Sequence, residues 1–165
     1  MKMSVKKLCF LALMTSLAMV LSYIEMLLPP VWPAVPGIKV GLANIVIILL
    51  LYKFSFKEAG VVSLVRVCLM SLLFGSAVMF LYSLGGAVLS LVIMAVLKRT
   101  DWFSSVGVSI AGGVTHNLGQ IIVAIIVMQT KEIGYYMIIL AVTGTIAGIF
   151  IGLRGAIVLR YFKKL

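Results

Sequence analysis

Long apolar stretches broken by short polar punctuation run along the whole chain, and none shows the strict apolar–polar alternation of half-buried strands. The pattern predicts six helices, over residues 8–28, 39–54, 57–76, 78–97, 105–129 and 134–160. Each approaches the roughly 20 residues that an α-helix needs to cross a hydrocarbon core about 30 Å thick. Between the first two lies Pro29-Pro30-Val31-Trp32-Pro33-Ala34-Val35-Pro36-Gly37, which holds all 4 prolines of the protein. Such a segment cannot continue a helix, and it is predicted to be the longest loop, with Trp32 suited to headgroup depth.

Composition turns this pattern into a class. Of the 165 residues, 64% are hydrophobic and 11% charged, with a mean hydropathy of +1.27. Soluble domains have about 45–50% apolar and about 25% charged residues, so a soluble globular fold is excluded. A single six-helix transmembrane domain over 1–165 is expected, all-α and integral to the membrane.

The 14 Lys and Arg against 4 Asp and Glu leave a net charge of +10. In a chain this apolar, the excess reports topology and contact with anionic lipid headgroups rather than nucleic acid. Sorted by side, Lys2, Lys6, Lys7, Lys53, Lys57, Lys98, Arg99, Arg160, Lys163 and Lys164 fall together, and Lys39 and Lys131 fall opposite. Both termini are then expected to be cytoplasmic in a multi-pass protein of the bacterial cytoplasmic membrane. The basic start before Leu8 imitates a secretory signal, but no small-residue cleavage site closes the apolar run, which reads as a retained first helix.

Scarcity of acids removes several chemistries. Glu25, Glu58, Asp101 and Glu132 are the only carboxylates, so there is no Asp cluster to hold Mg²⁺ on a diphosphate and no acid–base pair. No phosphate-binding Gly-x-x-x-x-Gly-Lys-[Ser/Thr] loop occurs, so any ATP coupling must come from another subunit. One His and 2 Cys do not suggest a metal site, and Cys9 and Cys68, inside apolar runs, read as small buried hydrophobes. The chain is not expected to be an enzyme or to carry a cofactor.

What remains at membrane depth is informative. Arg66 falls near the middle of the third helix, where a charge costs about 2.5–3.5 kcal/mol on insertion scales. Its acceptor is either a ligand bearing an anion or carbonyl, or backbone carbonyls; Glu58, eight residues earlier on the same face, lies about 12 Å down the axis. In helix five, His116 and Gln120 share one face with Gly112 and Gly119, so that the face is polar and is expected to have room beside it, while Asn117 points elsewhere and needs partners of its own. Ligand contact and plain hydrogen-bonded packing both account for this cluster. Asn44 lies within helix two below Lys39, which can snorkel to water, pair with Glu25, or touch a ligand or gate under the proline-rich loop.

Small residues recur at helical spacing: Gly144, Gly148, Gly152 and then Gly155 in helix six, Gly107, Ala111, Gly112, Thr115 and Gly119 in helix five, Gly85, Gly86 and Ser90 in helix four, and Ala12 and Ser16 in helix one. These stripes allow close backbone approach, within the chain or against a partner.

Four stretches carry a family resemblance: Gly37-Ile38-Lys39-Val40-Gly41-Leu42-Ala43-Asn44, Ser63-Leu64-Val65-Arg66-Val67, Phe74-Gly75 with Phe80-Leu81-Tyr82-Ser83-Leu84-Gly85-Gly86, and His116-Asn117-Leu118-Gly119-Gln120. Together they resemble the Gx transporter family, also called heptaprenyl diphosphate synthase component I. That family in turn is similar to the substrate-binding S components of energy-coupling factor transporters. The resemblance implies a six-helix S-component-like bundle, a loop capping an outward-facing cavity, and small residues on helix one, here Ala12 and Ser16, meeting a coupling subunit. It also implies links with quinone, isoprenoid and flavin-dependent electron-transfer systems.

The expected function is therefore binding of a small, partly apolar molecule (a vitamin, flavin, quinone or isoprenoid precursor) lined by Lys39, Asn44, Arg66, His116, Asn117 and Gln120. Partners would be energy-coupling transmembrane and ATPase subunits, besides membrane lipid. The alternatives are a noncatalytic membrane accessory of a prenyl or quinone enzyme, docking it through the basic rim, and a proton-coupled carrier titrating at His116.

Overall fold

The computed structural model describes residues 4–27 and 41–162. The proline-rich segment 29–37 and Lys39 lie outside the described residues, as do Lys2, Lys163 and Lys164. Six α-helices appear in order: α1 Val5–Leu27, α2 Asn44–Lys53, α3 Phe56–Phe74, α4 Ala77–Thr100, α5 Ser105–Met128 and α6 Met137–Phe162. A 3₁₀ turn, Lys131–Tyr136, leads into α6, and there is no strand among the described residues. The fold is an all-α membrane bundle. Counting that turn with α6, four of the helical segments are long and apolar enough to cross a membrane.

Local chemistry sets most boundaries. Ser55 opens α3 by accepting from the Lys57 N–H at 3.2 Å, and its hydroxyl in turn donates to the carboxylate of Glu58, three residues on. Ser76 and Ser104 cap α4 and α5 in the same way, accepting from Met79 N–H and Gly107 N–H. Left-handed residues, Asp101 at φ 53° and Gln129 at φ 50°, stop α4 and α5.

Helix two departs from expectation. The apolar run predicts 39–54, but the helix begins only at Asn44, because Gly41 sits at φ 89° and breaks the backbone path. A side chain at that φ is strained, so only glycine suits the position. Ten residues rise about 15 Å, half the hydrocarbon thickness. This short helix lies inside the bundle, touching all five others. Its Val46, Ile47, Ile48, Leu50 and Leu51 pack with Ala18, Ala59, Val62, Met94, Val108 and Ile151 in the main apolar core.

Glycines decide how α4, α5 and α6 meet. A Cβ on Gly119 would stand 2.5 Å from the Gly85 carbonyl oxygen, and one on Gly148 2.5 Å from Ile110 Cα. Gly113 faces the Gly144 carbonyl just as closely, and Gly152 faces Val106. The stripes of helices four, five and six are thus consumed by packing within the chain. The stripe on α1 is not: Ala12 and Ser16 lie on its exposed side, beside exposed Leu13, Leu17 and Val20.

Outside, the bundle is apolar, with Leu72, Val88, Ile126, Ile138 and Phe150 among many exposed large side chains, while polar groups are drawn inward. That inversion suits lipid as the surrounding solvent. Basic groups gather where α1 starts, α2 ends and α3 starts: Lys7 pairs with Glu58, and Lys98 from the end of α4 donates to the Leu51 carbonyl at 2.5 Å. The cysteines depart from expectation, since Cys9 is exposed and Cys68 only partly covered; α1 and α3 turn them toward the apolar exterior rather than the core.

Candidate functional site

Across the middle of the bundle runs a band of buried polar groups assembled from five helices. It begins at Arg66 on α3, whose Nη1 donates to Ser22 Oγ on α1 at 3.0 Å. One turn beyond Ser22 on the same face of α1 is Glu25, which acts electrostatically on Arg66. Its carboxylate accepts from the backbone N–H of Gly41, and from that of Leu42 at 3.2 Å. Glu25 therefore ties α1 to the turn that opens α2.

From Gly41 the band passes to α5. A Cβ placed on Gly41 would lie 3.1 Å from Asn44 Nδ2 and 3.4 Å from His116 Cδ2. Gln120 Nε2 stands 3.1 Å from His116 Nε2, so the amide donates when the ring carries its proton on Nδ1. Gly86 of α4 closes over both, with its missing Cβ position 3.0 Å from His116 Cε1 and 2.9 Å from Gln120 Cγ. Beside Gly112, one turn before His116, Ser90 of α4 adds a buried hydroxyl. Arg66, Glu25, Asn44, His116 and Gln120 are each 6% exposed or less.

Several atoms of this band have no hydrogen-bond partner within the protein: Arg66 Nε and Nη2, Asn44 Nδ2 and Ser90 Oγ. Leaving a buried donor unsatisfied costs about 1–3 kcal/mol, more where the group is charged. Concentrated in one layer, these donors stand where a hydrogen-bond acceptor could meet them.

Of the residues singled out from the sequence, Asn44, Arg66, His116 and Gln120 enter this band. Asn117 goes elsewhere: its Nδ2 donates to the Leu140 carbonyl of α6 at 2.8 Å, clasping α5 to α6. Lys39 lies outside the described residues, and with it the pairing of Lys39 with Glu25. The expected room beside the glycine face of helix five is filled, because Met94 and the backbone of α4 occupy it. Arg66 was expected to have no local carboxylate, and Glu25 supplies one from a different helix. Ser22 and Glu25 were missed as members of the site, although their i, i+3 spacing on an otherwise apolar face was a readable signal.

A second feature lies toward the basic end, an apolar cavity of about 420 Å³ between α1, α2 and α6. Phe10, Met14, Leu21, Leu49, Leu50 and Val158 line it, and Lys53 and Phe54 stand at its edge. Lys7 lies 5.7 Å from the Phe54 ring centroid.

A family model described as heptaprenyl diphosphate synthase component I matches residues 14–158, from the middle of α1 to near the end of α6. The chain belongs to this family. No match was found among curated proteins or among solved structures. The family's name describes one component of a synthase, which implies a second component as partner. The match takes in the whole polar band and most of the residues lining the apolar cavity.

Proposed function

We propose that this protein is a noncatalytic membrane subunit that binds a small, partly apolar molecule in the polar band, in the manner of an energy-coupling factor S component. The observation that carries this reading is Arg66, buried mid-bundle with two donor nitrogens, Nε and Nη2, that have no acceptor among the described residues. A charge at that depth is costly, and a ligand that meets it returns part of the cost as binding energy. Asn44, His116 and Gln120 would complete the lining, with Lys39 contributing from the segment before α2. The exposed Ala12–Ser16 face of α1 would meet a coupling transmembrane subunit, and an ATPase subunit would act from the cytoplasmic side, to which the excess of Lys and Arg assigns both termini.

The test is mass spectrometry of small molecules retained by the purified protein, repeated for Arg66→Ala and His116→Ala. A compound retained by the wild type and lost from both variants is expected. Recovery of bulk phospholipid alone, unchanged by either substitution, would sink the reading.

The family's name and the 420 Å³ cavity favour a second reading, a membrane accessory that holds a prenyl chain for a soluble synthase component docked on the basic end. Reversing the charge of Lys53, Lys57, Lys98 and Arg99 separates the two. Loss of enzyme recruitment with small-molecule retention intact supports each role in its own place; loss of neither leaves only the first.

A further inference from the structure

The guanidinium of Arg66 has two usable edges. Nη1 is spent on Ser22 Oγ at 3.0 Å, and the two nitrogens left over, Nε and Nη2, lie side by side on the other edge. That edge is the one that donates two parallel hydrogen bonds to a pair of neighbouring acceptors, as in Arg–carboxylate forks or Arg on the O6 and N7 of guanine. Ser22 holds the plane of the group, so the fork is oriented before anything binds.

Charge decides what fits the fork. Glu25 already sets a negative charge against Arg66, held in place by the N–H groups of Gly41 and Leu42. Among the described residues the acid and the base of the layer then balance, and further unpartnered atoms, on Asn44 and Ser90, are uncharged. A carboxylate or phosphate entering here would meet Glu25 as a like charge in a medium of low dielectric, where repulsion is poorly screened. A neutral acceptor pair meets the same fork without that penalty.

We propose that the Nε–Nη2 edge of Arg66 recognises the head of the bound molecule, and that this head is neutral and planar with two adjacent hydrogen-bond acceptors, such as a carbonyl oxygen beside a ring nitrogen. The inference rests on the small-molecule-binding reading above and names the chemical class of its ligand. Glu25 is a positioning residue in this arrangement: it sets the charge preference without touching the ligand.

Three tricyclic fluorophores of similar size test it on the intact protein in neutral-lipid nanodiscs. Lumichrome is neutral and has a carbonyl next to a ring nitrogen, acridone is neutral with one isolated carbonyl, and 9-anthroate is an anion. Lumichrome is expected to bind about tenfold or more tighter than acridone, the worth of one additional charge-assisted hydrogen bond, and 9-anthroate is expected not to displace it. Arg66→Lys keeps the charge and removes the fork, so the preference for lumichrome over acridone should vanish; Glu25→Gln should raise 9-anthroate binding by about tenfold. Equal binding of lumichrome and acridone, or displacement of lumichrome by 9-anthroate in the wild type, overturns the inference without needing any variant to fold. If the molecule retained on purification is lost with Arg66→Ala but proves anionic, the inference fails and the broader reading stands. If nothing is retained and no probe binds, both fall.

Discussion

The two halves of the bundle are held together by opposite means. In α4, α5 and α6 the backbones touch through glycines, with Gly119 against Gly85, Gly148 against Ile110, and Gly113 against Gly144. In α1, α2 and α3 the backbones stand farther apart, and the links are side chains: Arg66 to Ser22, Glu25 to the turn at Gly41 and Leu42, and Lys7 to Glu58. Close backbone packing has little slack, since any added atom must displace a carbonyl. Polar links can be exchanged for other polar partners, including a ligand. The rigid half presents His116 and Gln120 as a fixed wall, and the polar half supplies the charged and exchangeable groups.

The sharpest way to break this contrast is Glu25→Ala, which strips the Gly41 and Leu42 N–H groups of their acceptor and leaves Arg66 uncompensated. Removing one member of a buried charged pair costs about 3–5 kcal/mol, read as a fall in unfolding free energy in detergent. Combining it with Arg66→Met should recover part of the loss, and strict additivity would show that the two are not coupled. In the other half, Gly113→Ala forces α5 and α6 apart and should cost about 1–3 kcal/mol, the range for overpacking. Asn117→Ala removes the bond to Leu140, with an expected loss of about 0.6–1.7 kcal/mol, as for interhelical hydrogen bonds in membranes. Smallest, and opposite in sign, is Gly60→Ala on α3, where a new Cβ meets only Leu91 Cδ2 at 3.4 Å. A gain of up to about 0.5–1 kcal/mol is expected there. If Gly60→Ala and Gly113→Ala cost the same, the two halves do not differ in the way their packing implies.

The helices were legible because apolar length and Ser, Gly and charge punctuation are local signals, and five of the six appear close to where the pattern puts them. Helix two was overextended because hydrophobicity says nothing about φ, and a single left-handed glycine moved its start to Asn44. Arg66 announced itself as a charge inside an apolar run. Glu25 was readable only as half of a polar pair with Ser22 on α1; that this pair faces Arg66 is tertiary, since no spacing along the chain encodes the approach of α1 to α3. The reverse error occurred at the glycines of helix five: small residues suggested space, whereas in a bundle they are where a neighbouring backbone comes closest.

The tie between Glu25 and the turn at Gly41 also bears on how the chain enters the membrane. During synthesis α1 precedes α2 and α3, so Glu25 is made before both the Gly41 turn and Arg66. The backbone donors of Gly41 and Leu42 follow 16 and 17 residues later, whereas Arg66 trails Ser22, its contact on α1, by 44. The order of the chain therefore lets the main-chain amides of the Gly41 turn reach Glu25 before Arg66 has been made.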